Sequence, residues 1–322
     1  MNKLFTLLTC LAAGFAAAPA HAQAPFPNKV VRVIVPFPAG GSADVLARIV
    51  GERLSSKWGQ PVVVENRVGA GGNIGAEFVY RADPDGYTIL SSPPGPLSIN
   101  HNLYKQLPFE PAKFVPITVL AIVPNVITAK LDLPANSAKE LIAYAKANPG
   151  KVIYASQGNG STSHLSAQMF ATMTGIELTH VPYKGEGPAL VDIVAGRVDI
   201  FIGNIAAALR LQQAGKVKFL GVASRTRSPV APDIPAAAEI GLPDFIASAW
   251  FAFVAPPGTP NAIQQQVNAA TVEALRMPDV RKRFLEQGAE PVGNTSAEMA
   301  AFVKEEMARW QNVIKTANVT LQ

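Results

Sequence analysis

The sequence predicts an α/β protein of two lobes, each a mostly parallel sheet flanked by helices. Its 322 residues are enough for two domains. Short, nearly continuous apolar strands alternate with amphipathic helices, which is typical of parallel sheets covered on both faces. The last part of the chain has helices without neighbouring strands, so we expect these helices to pack back on the first lobe.

This arrangement makes the chain cross between the lobes twice, near Ile122–Ile127 and near Ala247–Val254. Residues 23–123 together with 250–322 form the predicted lobe 1, and residues 124–249 form the predicted lobe 2. The two crossing strands would act as a hinge, with a ligand cleft between the lobes.

The elements of lobe 1 follow from apolar runs separated by turn residues. One β-branched run stops at Pro36, which has no amide to donate to a sheet. Apolar side chains recur at helical spacing after it, and Asp83-Pro84-Asp85-Gly86 forms a turn. These patterns predict strands Val30–Val35, Val62–Val64 and Tyr87–Leu90, and helices Ser42–Lys57 and Ile74–Ala82.

Lobe 2 repeats this alternation. Ser137 and Glu140 form a capping box before its first helix, which ends at Pro149. The predicted helices are Leu141–Asn148, Ser163–Thr174, Pro188–Ala195 and Ile205–Ala214, and the predicted strands are Val152–Ala155, Leu178–Val181, Val198–Ile202 and Phe219–Val222.

The C-terminal part is helical after one more strand, Ala249–Val254. Thr259 is expected to cap a helix with Pro260 at its first position. A second short helix follows, and a capping box of Thr295 and Glu298 begins the last helix.

The N-terminal segment, residues 1–22, has the pattern of a secretory signal peptide. Lys3 provides a positive start, Leu4–Ala18 is apolar and uncharged, and Ala-His-Ala at 20–22 is the small-x-small pattern read by signal peptidase. We expect cleavage after Ala22 and export to the periplasm. A buried N-terminal helix is the alternative.

Composition and charge exclude several classes of function. The chain carries 28 basic and 23 acidic residues without a run of Lys or Arg, so we expect no nucleic-acid partner. The one cysteine, Cys10, lies in the signal segment, which leaves the mature chain without a disulfide or a catalytic thiol. The sequence has no zinc-protease, P-loop or calcium-loop motif, and it predicts no metal and no cofactor.

The strongest local signal for a binding site is the Gly-rich loop after the first strand, Pro-Phe-Pro-Ala-Gly-Gly-Ser-Ala-Asp at 36–44. Gly40 and Gly41 let the backbone approach a ligand. The first amides of the next helix are free donors with a partial positive charge. Such a loop suits a carboxylate or a phosphate. The alternative is an ordinary loop with Ser42 as a helix cap.

Lobe 2 contains a similar loop, Ser-Gln-Gly-Asn-Gly-Ser-Thr-Ser-His at 156–164. Its amides and the hydroxyls of Ser156, Ser161 and Thr162 are suited to the other side of an anion. His164 is expected to bond the backbone of this loop. The alternative function is a secreted serine hydrolase with Ser156 as nucleophile, although no histidine has a clear acidic partner.

Three further residues are candidates for ligand contact. Asn73 lies in a Gly-rich loop at 66–75 whose glycine spacing does not match the dinucleotide pattern. Tyr183 follows a strand and is placed to cover a ligand. Asn204 lies at the carboxyl end of a strand, where open α/β sheets bind ligands.

Five segments stand in a recognisable order: Val-Pro-Phe-Pro-Ala-Gly-Gly-Ser-Ala-Asp at 35–44, Glu-Asn-Arg-Val-Gly-Ala-Gly-Gly-Asn-Ile-Gly at 65–75, Asp-Gly-Tyr-Thr at 85–88, Val-Pro-Tyr-Lys-Gly at 181–185 and Gly-Arg-Val-Asp at 196–199. Together they resemble the motifs of the Bug receptors, the periplasmic substrate-binding proteins of the tripartite tricarboxylate transporter class. The resemblance covers the whole mature chain. It implies a two-lobed Venus-flytrap periplasmic-binding-protein fold and a carboxylated ligand.

The resemblance also implies residue roles. The loop Phe37–Ser42 would grip a carboxylate through amides and waters, Asp44 would order that loop, and the loop Gly158–Thr162 would face it. Ser91 and Asn204 stand at positions that shape the distal part of the ligand. The expected ligand-binding residues are Phe37, Pro38, Ala39, Gly40, Gly41, Ser42, Asp44, Asn73, Ser91, Ser156, Gly158, Gly160, Ser161, Thr162, His164, Tyr183 and Asn204.

The function expected from these observations is that of a periplasmic solute receptor, a monomer that makes and breaks no bonds. It would bind a small organic carboxylate between its lobes. It would deliver this ligand to the membrane subunits of a tripartite tricarboxylate-type transporter or to a sensor ectodomain.

Overall fold

The computed structural model describes residues 26–317 and residue 319, so the predicted signal peptide lies outside the described residues. The strands are β1 (Val31–Val35), β2 (Val62–Asn66), β3 (Thr88–Ser92), β4 (Val115–Ala129), β5 (Val152–Ser156), β6 (Leu178–Pro182), β7 (Ile200–Asn204), β8 (Lys218–Val222), β9 (Ser248–Ala255) and β10 (Glu290–Pro291). The helices are α1 (Ser42–Trp58), α2 (Asn73–Tyr80), α3 (Ala138–Ala147), α4 (Thr162–Thr174), α5 (Glu186–Val194), α6 (Ile205–Gln213), α7 (Asn261–Arg276), α8 (Pro278–Glu286) and α9 (Ser296–Thr316). Within these residues, no helix combines the length and the apolar character needed to span a membrane.

The strands form a sheet in the order β2-β1-β3-β9-β4-β7-β5-β6. Strands β1, β2 and β3 are parallel to one another, and so are β5, β6 and β7. Strands β4 and β9 run antiparallel to their neighbours, and β8 and β10 pair with β4. The mostly parallel sheet predicted for each lobe is confirmed.

Strand β4 is 15 residues long and belongs to both lobes. Its first part pairs with β9, and its second part, from Asn125 onward, pairs with β7 and β8. The Asn125 amide donates to the Ala247 carbonyl at 3.0 Å, and the Ala223 amide donates to the Asn125 carbonyl at 2.8 Å. The two crossing segments therefore lie side by side, within the ranges expected from the sequence. The lobe boundaries themselves stay a prediction.

The C-terminal helices return to lobe 1, where α7 packs on α1 and on the first part of β4. Helix α9 is held by Glu306, whose buried carboxylate accepts from the indoles of Trp250 in β9 at 2.8 Å and of Trp310 at 3.0 Å. Trp310 and Ile314 share an apolar cluster with Leu165 of α4. Helix α9 therefore also touches lobe 2.

One predicted helix cap differs from the structure, and a predicted capping box is formed in part. The Thr259 hydroxyl donates to the Pro256 carbonyl at 2.8 Å instead of capping a helix, and α7 begins one residue after Pro260. At α3 the Ser137 hydroxyl accepts from the Glu140 amide at 3.2 Å as predicted, but the Glu140 carboxylate accepts from the Asn136 amide at 2.7 Å instead of the Ser137 amide. Nevertheless, α7 begins one residue after Pro260 and α3 begins one residue after Ser137.

Candidate ligand-binding site

A cavity of about 750 Å³ lies between the two lobes. Loops at the carboxyl ends of β1, β2, β3, β5, β6 and β7 form most of its wall, as expected of ligand sites on parallel sheets. The volume lies within the range of small-molecule sites. Of the described residues that line it, Lys184 and Glu186 have a basic or an acidic side chain. Between residues 26 and 317, no three His, Cys, Asp or Glu side chains are grouped as a metal site would require.

The lobe 1 wall is the Gly-rich loop that ends at Gly41, the N-cap of α1. Gly40 has a φ of 82°, in the region that favours glycine, and its amide donates to Asp44 Oδ2 at 3.0 Å. The same carboxylate accepts from Arg48 Nε and Asn66 Nδ2, both at 3.0 Å. Burial raises the pKa of Asp44, but the bonds from Arg48, Gly40 and Asn66 outweigh burial and hold it below its usual value. Asp44 therefore fixes the loop from behind as an anion.

The lobe 2 wall is the loop before α4. Its N-cap residue Ser161 donates from Oγ to the Gly158 carbonyl at 2.6 Å and accepts from the His164 amide at 3.4 Å. Gly158 and Gly160 have φ values of 128° and 76°, which residues other than glycine rarely adopt. Thr162, the first residue of α4, lies on the cavity wall. Both walls thus present the start of a helix to the same space.

Behind the lobe 2 loop, three aromatic rings are stacked. The ring centroids of His164 and His180 are 4.2 Å apart, and those of His180 and Tyr154 are 4.6 Å apart. The Gly160 amide donates to His164 Nδ1 at 3.1 Å, and Ser156 Oγ lies 2.7 Å from His180 Nε2. Burial lowers the pKa of His164 to about 4, with a smaller contribution from His180, and burial lowers the pKa of His180 to about 4. Both rings are therefore neutral at pH 7.

The histidine stack predicts a loss of stability in mild acid. An unfolded histidine binds a proton below about pH 6.5, whereas these two bind one in the folded protein only near pH 4. The unfolded chain therefore holds more protons in this window, and the free energy of unfolding decreases as the pH falls through it. Because solvent reaches half-buried His180, we expect a loss of about 2 kcal/mol between roughly pH 7 and pH 5 in urea unfolding.

The variant His180→Phe keeps a stacked ring and removes one titrating group. It should lose less stability than the wild type over the same pH range. An equal loss in both proteins would show that the acid sensitivity has another origin.

The geometry does not support Ser156 as a nucleophile. Although its hydroxyl lies beside His180, Ser156 is fully buried and is not part of the cavity wall. The hydroxyl accepts from the Gly158 amide at 3.2 Å, which ties down the start of the loop. In the part of the chain that the structure describes, no carboxylate bonds to His180 to complete a triad.

Sequence reasoning missed Glu186, the first residue of α5, whose side chain reaches across the cleft. Its Oε2 accepts from the Ser42 amide at 3.3 Å and from the Ser42 hydroxyl at 3.1 Å. Its Oε1 accepts from Gln157 Nε2 at 2.9 Å and from Asn204 Nδ2. Burial raises the pKa of Glu186, although the bonds from Ser42 and Asn204 act to lower it. An acidic residue in the first turn of a helix is common, so no sequence signal marked it.

The structure brings one set of the predicted residues to the cavity wall: Phe37, Pro38, Ala39, Gly40, Gly41, Ser42, Gly158, Gly160, Ser161, Thr162, Tyr183 and Asn204. The others, Asp44, Asn73, Ser91, Ser156 and His164, are buried behind it. Asn73 Oδ1 accepts from Asn100 Nδ2 at 2.5 Å, and Ser91 Oγ has no hydrogen-bond partner among the described residues. These buried residues are thus placed to affect ligand binding indirectly, by holding the loops in position. Ligand contact stays a prediction for both sets.

Two lobes joined by a pair of crossing strands, with helix starts facing one another across a cavity, define a receptor of the periplasmic-binding-protein class. Residues 46–319 match the model of the tripartite tricarboxylate transporter family receptor, and the chain belongs to this family. The family and the receptor function expected from the sequence are confirmed.

Relatives cover nearly the whole chain. It is 39% identical over 308 residues to BugT of Bordetella pertussis, which covers 95% of this chain and 94% of the relative. The structure of R. palustris Rpa4515 with adipate is 39% identical with a TM-score of 0.89, covering 92% of this chain and 99% of that one. The structure of MatC from Rhodopseudomonas palustris with bound malate is 36% identical with a TM-score of 0.84, covering 90% and 100%. The family model describes a receptor, and the two solved relatives are structures with a bound dicarboxylate.

Proposed function

We propose that this chain is a periplasmic receptor that holds a small organic carboxylate in the cleft and does not transform it. The observation that carries the proposal is the pair of Gly-rich loops that end at the starts of α1 and α4 on opposite walls of one cavity. Free amides at helix starts favour anions. Because neither loop contains Lys or Arg, these amides, the hydroxyls of Ser42 and Thr162, and water would hold the carboxylate.

The ligands of the solved relatives support a small carboxylate. Adipate is bound in one and malate in the other, and both are compact enough for a cavity of about 750 Å³. The family description supports membrane subunits of a tripartite tricarboxylate-type transporter as the partner that accepts the ligand, with a sensor ectodomain as the second possibility. We further propose export with cleavage after Ala22, and action as a monomer whose lobes, 23–123 with 250–322 and 124–249, move about the two crossing strands.

A thermal-shift panel of mono-, di-, tri- and aromatic carboxylates tests the proposal on the mature chain. A ligand at 100 times its dissociation constant should add about 2.7 kcal/mol to the free energy of unfolding. The ligand should be recovered unchanged by NMR after incubation. If no carboxylate raises the melting temperature, the proposed function is wrong.

Paired variants of two hydroxyl residues separate binding from catalysis. Thr162 lies on the wall, so Thr162→Val should weaken carboxylate binding roughly three- to tenfold, the effect of one neutral hydrogen bond. Ser156 lies behind the wall, so Ser156→Ala should weaken it less, as measured by calorimetry. Ester hydrolysis by the wild type that disappears in Ser156→Ala would overturn the receptor assignment.

A further inference from the structure

The side chain of Glu186 joins the two lobes through hydrogen bonds. It belongs to α5 of lobe 2, yet its Oε2 accepts from both the amide and the hydroxyl of Ser42 at the start of α1 in lobe 1, at 3.3 Å and 3.1 Å. Gln157 and Asn204 of lobe 2 hold the other oxygen. The Glu186 carboxylate therefore occupies hydrogen-bond donors that the lobe 1 wall would otherwise offer to an anionic ligand.

The half-buried carboxyl group of Glu186 has no cationic partner in the part of the chain that the structure describes. Among the described residues, no Lys, Arg or His nitrogen lies within ion-pair distance of its carboxylate, whereas Asp44 behind the same loop is paired with Arg48. Burial accordingly raises the pKa of Glu186. A second carboxylate on the Ser42 donors would stand beside the Glu186 carboxyl group, and two carboxylates at one site are strongly unfavourable when both are ionised.

The space around these donors is also limited. A Cβ atom on Gly41 would lie 3.7 Å from Glu186 Oε2, and one on Gly185 would lie 3.5 Å from the ring of Pro38. The loop of lobe 1 and the segment before α5 therefore approach each other beside the Glu186 carboxylate. A solute carboxylate at the Ser42 donors would therefore compete for them with the Glu186 carboxylate.

We propose that Glu186 is an internal ligand, a carboxylate that holds the lobes together across the cleft and that a solute carboxylate must displace from Ser42. This inference rests on the proposed function and adds a regulatory step to it. The affinity for a solute then depends on how much more favourably its carboxylate binds the Ser42 donors than the Glu186 carboxylate does. The bridge lowers the apparent affinity, because only the fraction of molecules with Ser42 released can bind.

The affinity arm of the test uses Glu186→Ala with adipate and malate as probes in titration calorimetry. Removing the internal carboxylate should tighten binding of the probe that the wild type binds, by about tenfold if the bridge is closed in nine molecules of ten. Glu186→Gln keeps the size of the side chain without its charge, and it should give a smaller gain. The matched control is Glu177→Ala, an exposed glutamate of lobe 2 outside the cavity.

The second arm needs no solute. The radius of gyration of Glu186→Ala, measured by small-angle scattering in a buffer without carboxylates, should exceed that of the wild type, because the lobes lose their bridge. Glu177→Ala should match the wild type. If Glu186→Ala does not fold, Glu186→Gln replaces it in both arms.

The proposal requires both results. Weaker binding in Glu186→Ala would show that Glu186 contacts the solute, and unchanged binding would show that the solute uses other donors; either outcome overturns the proposal. An unchanged radius overturns the bridge even when affinity rises. If neither probe nor any other carboxylate binds the wild type, the proposed function fails, and the scattering arm still decides whether Glu186 joins the lobes.

Discussion

Replacing Gly41 with valine is expected to abolish carboxylate binding, with a loss of more than about 100-fold, while the protein stays folded. Gly41 is the N-cap of α1 with φ −78° and ψ 167°, an extended conformation that valine adopts readily. An added Cβ would make ordinary contacts, 3.6 Å from the Pro38 carbonyl oxygen and 3.7 Å from Glu186 Oε2. The two methyl groups beyond it would fill the space over the first amides of α1, where an anion must lie.

Two variants of the same loop serve as controls for this prediction. Gly41→Ala adds only the Cβ atom, so it should keep most of the affinity. Gly40→Val places a β-branched residue at a φ of 82°, so it should lower stability as well as binding. The measurements are calorimetry for affinity and urea unfolding for stability. Wild-type affinity in Gly41→Val would remove this loop from the binding site.

The variant Asp44→Ala is expected to lower both stability and binding. The buried carboxylate holds the Gly40 amide, Arg48 and Asn66 at once, and Asn66 in turn donates to the Phe37 carbonyl at 2.9 Å. Hydrogen bonds to a charged group contribute about 1.5–3 kcal/mol each, and they share one partner here, so we expect a loss of about 3 kcal/mol. The loop that carries the amide donors loses its support, so the affinity should fall at least tenfold.

The matched control is Asp279→Ala, which removes a carboxylate paired with Arg53 on the surface of the same lobe. The side chain of Asp279 is 49% exposed, and surface pairs contribute about 0–1 kcal/mol. Urea unfolding of both variants makes the comparison. Equal losses would mean that Asp44 contributes no more than a surface pair. Because bonding holds the pKa of Asp44 low, its contribution should also disappear as the pH falls below the value of an unfolded aspartate.

Most helices and the parallel strands were predictable because their signals are local. The strand that ends at Pro36, the helix after Gly41 and the glycine-bounded loop after β5 each depend on neighbouring residues alone. The two Gly-rich loops therefore appear in the sequence as candidate anion sites before any fold is known. The two loops face one cavity because the parallel strands place their carboxyl ends at one edge of each sheet.

The full length of β4 was not predictable in the same way. Pro116 and Pro124 lie within it, and proline usually argues against a strand inside a sheet because it has no amide to donate. The structure accommodates both: the register of β4 with β9 shifts next to Pro116, and β4 changes partners just after Pro124. The change of partners after Pro124 occurs where the strand passes from one lobe to the other, which local patterns do not reveal.

The sequence by itself determined the two-lobed α/β class, the anion-suited loops and the absence of basic side chains within them. Each of these depends on periodicity, glycine placement or residue type over a few neighbouring positions. Only the tertiary structure decided which side chains stand behind the loops and which reach across the cleft. Ser42 and Glu186 are separated by 144 positions, and Ser156 and His180 by 24. A free donor at a helix start is visible locally, but its partner is chosen by packing, because a buried carboxylate must find donors wherever the folded chain brings them.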